Sequence, residues 1–450
     1  MKKLITFALS LFLFSCAKET APEYTIISGK MTNTEDGKFF IRGNSFQKEI
    51  TVKEDGSFTD TLQLGYNGTY EIGRQNIYLQ KGKNLSFEAN FEKLNDITFT
   101  GDLAAENNYF AKKGKLQEEI IGADAKTLFS LEETDYLAKI NELAKKRLTL
   151  LGGSTFTVSD FKDKEVQNLN YHRQYLLKIY PDYHGVFTGN ENFKVSENYP
   201  NPNETIDFDN AADFDFSTPY RQLVLTHFDD EIQKEAEKNG NFHDVIITKI
   251  KSLKSQNIKN ALAESFSYEV ALSNQKMESF YNGLLSISTD ENFKKELTEK
   301  YNKLKKLTKG NPSPKFNYDN IKGGTTSLDD LKGKFVYIDV WATWCGPCME
   351  ELPFMKEVEK KYHDKNIAFV SISVDEKKDA DKWKKVVTQR EMQGIQLHAD
   401  KAFKSQFVTD YAIDGIPRFI LIDPNGNIVS GDAPRPSEEQ LIKLFTELGI

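Results

Sequence analysis

The chain is poor in cysteine: Cys16, Cys345 and Cys348 are the only three in 450 residues. A disulfide-stapled scaffold needs many more, and a zinc ribbon needs a second ligand pair that no other cysteine supplies. The six histidines, at positions 172, 184, 227, 243, 363 and 398, are scattered, so neither a metal nor a cofactor is expected. Basic charge is not in excess either. The formal net charge of −8 leaves no basic face to offset phosphate repulsion, which argues against a nucleic-acid partner. No segment beyond the first residues is long and apolar enough for a membrane helix, and no fixed period marks a solenoid. What remains is an ordinary composition, 39% hydrophobic and 28% charged, in a chain too long for one core at about 100–200 residues per domain.

The N-terminus reads as an address. In MKKLITFALSLFLFSC, Lys2 and Lys3 precede an apolar run from Leu4 to Phe14. That run is too short to span a bilayer, which needs about 20 residues, but it fits the apolar region of an export signal. Its end, LFSC, resembles the lipobox of bacterial lipoproteins. The resemblance implies that residues 1–15 are a signal peptide, that Cys16 is the lipid anchor to a membrane, and that 16–23 form a polar tether. A plain secretory signal with an incidental cysteine is the alternative reading.

Residues 24–103 are β-like. Segments such as TIISGKM, KFFIRG, SFTDTLQL, NIYLQ and ITFTG alternate polar with β-branched or aromatic residues. Asp36-Gly37, Asp55-Gly56 and Asn67-Gly68 between them supply the positive φ that tight hairpins demand. An antiparallel sandwich or barrel follows. From 104 to 309 the period becomes helical, with apolar residues three and four apart. Ser217 before Thr218-Pro219 is an N-cap candidate, and IKNALAESFSYEVALS (258–273) reads as one helix. The acids of IDFDNAADFDFS, Asp207, Asp209, Asp213 and Asp215, lack the glycine and closing glutamate of a calcium loop and are read as a solvated acidic loop. Gly310-Asn311-Pro312-Ser313-Pro314 then breaks the pattern and marks a boundary.

From 310 to 450, strands and helices alternate. FVYIDV (335–340), IAFVSISV (367–374) and RFILID (418–423) are apolar runs of the kind found in buried strands, and helices are expected at about 347–362, 380–390 and 437–448. That order indicates an α/β fold with a central sheet. The whole reads as a multidomain chain: an N-terminal antiparallel β module, a central all-α region and a C-terminal α/β domain.

In the last domain IDVWATWCGPCMEELP, with GIP some seventy residues later, resembles the thioredoxin superfamily. Within it, VWATWCGPCMEELP resembles the membrane-tethered TlpA/ResA-like disulfide reductases over roughly 312–450. The β-rich segment before it resembles the module that often precedes such domains in envelope lipoproteins. The resemblance implies a thioredoxin fold and a cysteine pair that cycles between dithiol and disulfide. It also implies protein disulfide substrates in the cell envelope, a membrane electron donor of the thiol-relay type, and chemistry of the kind used in c-type cytochrome biogenesis.

Position supports those roles. Cys345 falls at the start of a helix, where unpaired N–H groups and the dipole favour a thiolate, so it is the expected nucleophile. Cys348, one turn on, resolves the mixed disulfide. By resemblance Asp339 is a buried acid that takes the Cys348 proton, with burial raising its pKa. Glu351 either modulates cysteine ionisation, as its counterpart in the ResA-like group does, or is a favourable first-turn charge. Trp344 shields the sulfur, and Ile416-Pro417 matches the cis-proline loop that meets substrate. The expected activity is therefore thiol–disulfide exchange, in the reducing direction. Two alternatives stand beside it: an envelope scaffold whose last domain only docks, and a peroxiredoxin-like peroxidase, for which the proline and threonine before the cysteine are absent.

Overall fold

The computed structural model describes residues 23–450. Cys16, Lys2, Lys3 and the signal and anchor readings that rest on them lie outside the described residues. By contacts the described chain divides into two units, one running through Lys234 and including Leu253–Ala261, the other comprising Glu235–Ser252 and Leu262–Ile450. The helical stretch 104–309 is thus shared between two units rather than standing alone.

The first unit opens with eight strands: β1 (Thr25–Thr32), β2 (Lys38–Gly43), β3 (Phe46–Thr51), β4 (Ser57–Leu62), β5 (Gly68–Ile72), β6 (Gln75–Leu79), β7 (Leu85–Asn90) and β8 (Thr98–Gly101). They form two four-stranded sheets, ordered β4-β1-β7-β8 and β3-β2-β5-β6. Every pairing is antiparallel except β1 with β7. The exception has a simple origin: β7 returns to β1 only after the chain has built the second sheet, and such a long crossover permits parallel pairing where a hairpin does not. Phe39 of β2 meets Phe58 of β4 at 5.1 Å and Phe87 of β7 at 6.1 Å between ring centroids, so the two sheets share one core. Gly29 is required where β1 passes β7, since a Cβ there would lie 1.8 Å from the Phe87 carbonyl oxygen.

Helices follow: α1 (Ala104–Ile121), α2 (Ala125–Phe129), α3 (Glu133–Gly152), α4 (Phe161–Thr188), α5 (Ala211–Phe216), α6 (Thr218–Asn239), α7 (Phe242–Ser252), α8 (Gln256–Ser265), α9 (Met277–Ile287) and α10 (Glu291–Lys305). The Ser217 hydroxyl accepts from Tyr220 N at 3.1 Å, which makes it the N-cap expected of α6. Helix α8 stops at Ser265, short of the expected 273, because its bonds tighten to the i→i+3 pattern at Glu269 and Val270. The acidic segment is no solvated loop. Asp209 accepts from the backbone N–H groups of Lys254 and Ser255, Asp213 from the Tyr171 hydroxyl, and Asp215 from the Asn257 amide. These carboxylates replace backbone and side-chain partners that a short connection cannot supply locally.

In the second unit β9 (Asn317–Asn320), β10 (Thr325–Ser327), β11 (Phe335–Trp341), β12 (Ile367–Ser373), β13 (Ile395–His398), β14 (Arg418–Ile422) and β15 (Ile428–Ser430) make one sheet, ordered β10-β9-β13-β12-β11-β14-β15. β11, β12 and β13 are parallel, and β14 is antiparallel to β11. Between them lie α11 (Gly346–Tyr362), α12 (Ala380–Gln389) and α13 (Gln406–Asp410), with α14 (Glu439–Glu447) last. Tyr337 and Phe419 of the sheet pack with Met355 and Val358 of α11 and with Leu441 and Phe445 of α14. Gly310–Ser313, which reads as a break, is itself hydrogen-bonded to the β14–β15 hairpin through Gly310 N, Ser313 N and Asn311 O. Among the described residues no helix is long and apolar enough to cross a membrane.

Candidate active site

The sequence around the cysteines dictates a strand, a short turn and a helix. β11 is buried from Val336 to Trp341, and Gly346-Pro347 then opens α11. Pro347 costs nothing there, because a first-turn N–H has no intrahelical acceptor. Cys345 is the N-cap, and its Sγ accepts from Cys348 N at 3.2 Å. Cys345 and Cys348 are joined in a disulfide, with S–S 1.98 Å and Cα atoms 5.3 Å apart. The pair is less open than a helix start suggests: Cys345 is 5% exposed and Cys348 2%. The adjoining Trp344 takes the outward position instead, 58% exposed, with its ring 6.2 Å from Phe403.

Asp339 sits two residues before the end of β11, opposite Ser371 of β12 and Phe419 of β14. Alternation along the strand puts it on the side of Tyr337, the side that α11 covers. It is 4% exposed. Burial first, then the like charges of Glu359 and Glu351, push its carboxyl up to about 8, against a hydrogen bond from Ser371. The disulfide form therefore holds a proton on Asp339 at neutral pH.

Glu351 is not in the first turn of α11 and does not act as a first-turn charge. Its carboxylate accepts from the Ser437 hydroxyl at 2.8 Å and the Ser437 N–H at 3.1 Å, tying α11 to the approach of α14. The Ile416–Pro417 peptide is cis. Arg418 pairs with Val340, so continuing the register by one places Pro417 beside Trp341, at the cysteine end of the sheet.

Two contributors are missed by reading the sequence. Asp375, fully buried just beyond β12, accepts from Thr343 N at 3.0 Å, Thr343 Oγ1 at 2.7 Å and Ser373 Oγ at 2.7 Å. It anchors the turn that delivers Cys345, and its signal is an acid at the carboxyl end of a buried strand. Glu359 is the other, buried on α11 and itself raised to about 7 by burial. Four residues beyond Met355, it falls on the inward face at helical spacing.

The arrangement supports disulfide exchange: two sulfurs in contact, an N–H aimed at the outer one, and a proton-holding acid beneath the helix. The redoxin family profile matches residues 308–442. The chain is 32% identical over 136 residues to a thiol-disulfide oxidoreductase ResA of Bacillus cereus, covering 30% of this chain and 76% of that protein. To ResA of Bacillus subtilis (strain 168) it is 29% identical over 123 residues, covering 27% and 66%. Among solved structures, the thioredoxin domain of a thiol-disulfide oxidoreductase from Bacteroides vulgatus is 28% identical. That match covers 32% of this chain and 98% of that one, at a TM-score of 0.29.

Proposed function

The chain belongs to the TlpA/ResA-like thioredoxin family of thiol-disulfide oxidoreductases, and from that premise we propose that it reduces disulfides of envelope proteins. The observation that carries this reading is the Cys345–Cys348 disulfide at the N-cap of α11 above a protonated Asp339.

In the forward cycle the Cys345 thiolate attacks a substrate disulfide, forming a mixed disulfide and expelling one substrate thiolate, which takes a proton from solvent. Developing negative charge on Cys345 is favoured by the Cys348 N–H and the helix dipole. Cys348 then passes its proton to the ionised form of Asp339 and attacks Cys345 Sγ, which expels the second substrate sulfur as a thiolate that takes a proton from solvent. The chain is left oxidised by two electrons, with the proton on Asp339, the state that a raised pKa favours. A membrane dithiol donor supplies two electrons to restore the cysteines. Trp344 and the Ile416-Pro417 segment flank the entrance and would hold an extended substrate strand. Glu351 and Glu359 act through Asp339, as like charges that raise its affinity for the proton it takes from Cys348.

The Gly-Pro pair between the cysteines supports the reducing direction. A reduction potential near about −250 mV or lower for the pair would agree, whereas one nearer about −120 mV would make the protein an oxidant or isomerase of envelope thiols. Cys345→Ser should abolish turnover of a protein disulfide, followed by thiol release. A variant that keeps its cellular role would favour the scaffold reading instead. Anchoring through Cys16 is part of the same proposal, with 1–15 as signal, 16–23 as tether and 310–450 as the redox domain. Cys16→Ala should move the protein from the membrane to the soluble envelope fraction, and membrane retention would sink that part.

A further inference from the structure

A buried ionic cluster in the first unit has no part in the redox cycle. Lys113 of α1 and Glu165 of α4 form an ion pair at 2.6 Å. Glu165 also accepts from the Tyr109 hydroxyl at 3.1 Å and the Asn168 amide at 2.8 Å, so its carboxylate is occupied. Arg147 of α3 lies beside them, 4% exposed. Its guanidinium meets only neutral groups, His172 Nδ1 at 3.0 Å and Gln117 Oε1, and its Nε has no hydrogen-bond partner.

Burial, then the charges of Arg147 and Lys113, holds His172 well below its ordinary value, so it adds no charge. Burial lowers Arg147 only to about 10, and it stays cationic. Burial lowers Lys113 as well, and Glu165 at 2.6 Å opposes that shift, so Lys113 and Glu165 are taken up with each other and Arg147 is left a cation with no carboxylate of its own. Such a charge is costly in a low-dielectric interior unless an anion completes it.

Room for that anion exists. A cavity of about 440 Å³ is lined by Arg147, Lys113 and His172, with the exposed Arg74 also in its wall. Its wall carboxylate, Asp124, lies at an exposed position, where it accepts from Lys126 N at 3.0 Å as the N-cap of α2 and solvent screens its charge from buried Arg147. The remaining wall includes Leu128, Phe129 and Leu176, members of the apolar cluster that joins α2, α3 and α4. Volumes of about 300–1,000 Å³ with apolar walls and a few convergent polar groups are those of small-molecule sites.

We propose that this cavity binds a small organic monocarboxylate, with its head on Arg147 and Arg74 and its apolar body against Leu128, Phe129 and Leu176. One unmatched positive charge suits a monoanion, the guanidinium fork suits a carboxylate, and the apolar wall suits a hydrocarbon body.

The test is calorimetric titration of the full chain with straight-chain carboxylates from acetate to decanoate, with octanamide and with inorganic phosphate. A member of the carboxylate series should bind and raise the melting temperature. Octanamide, with the body but not the charge, and phosphate, with charge but no body, should each bind at least about tenfold more weakly. Arg147→Gln should remove binding, and Arg74→Gln, at an exposed position that leaves folding intact, should weaken it about three- to tenfold. Several results would overturn the proposal: no carboxylate binding below about 10 mM, octanamide or phosphate equal to the carboxylate, or an Arg74→Gln protein that binds as the unaltered chain does.

Discussion

Glu165 in the first unit and Asp339 in the second are both nearly without solvent, 0% and 4% exposed, yet their surroundings are opposite. Glu165 has a lysine at 2.6 Å, a tyrosine hydroxyl and an amide. Asp339 has no cation; its charged neighbours are Glu359 and Glu351, and burial leads the causes that raise it to about 8. A buried acid therefore marks a reactive site only where compensation has been withheld. Where partners are supplied, the same side chain is structural.

Removing one member of each set separates the two kinds of site. Glu165→Gln strips the carboxylate from Lys113 and Arg147 and should cost about 3–5 kcal/mol, read from urea unfolding. Disulfide reduction per folded molecule should be unchanged, and a turnover loss larger than the stability loss would break the comparison.

Asp339→Asn should do the reverse. A carboxyl at about 8 when folded, against 3.8 in the ordinary case, binds its proton more tightly in the folded chain. Ionisation then costs stability progressively as the pH rises from about 4 to about 8. The asparagine protein should match the unaltered chain below about pH 4 and exceed it by roughly 2–5 kcal/mol above about pH 8, with resolution of the mixed disulfide slowed about 100-fold. Stability differences that do not grow with pH would contradict the assignment.

The smallest effect tests the boundary between the two kinds. Ser437→Ala removes the hydroxyl bond to Glu351 and leaves its bond from the Ser437 N–H and its ion pair with Arg435 at 4.0 Å, and should cost about 1–2 kcal/mol, measured by thermal unfolding. No change would mean that the Ser437 N–H and Arg435 compensate Glu351 without the hydroxyl.

Much of the second unit is legible because its information is local. FVYIDV, IAFVSISV and RFILID are apolar enough to name themselves as strands, and Cys345-Gly-Pro-Cys348 fixes the turn between β11 and α11. NYDN, TTS and IQLH carry no such pattern, and they become β9, β10 and β13 only through the neighbours they pair with. Burial of Asp339 follows from alternation with Tyr337. Glu359 escapes notice inside EVEKKY, although its distance from Met355 puts it on the same face. The cluster of Lys113, Arg147 and Glu165 is illegible for a different reason: its members come from three helices, and no one-dimensional pattern brings them together.

The three tryptophans give the site an optical handle. Trp341 and Trp383 are sealed from water, and Trp344 alone, beside the disulfide, meets it. A water-soluble quencher such as iodide will therefore report on the residue next to Cys345 and leave the other two emitting. Because a neighbouring disulfide also quenches indole light, opening and closing of the sulfur bond can be followed in real time with no added label.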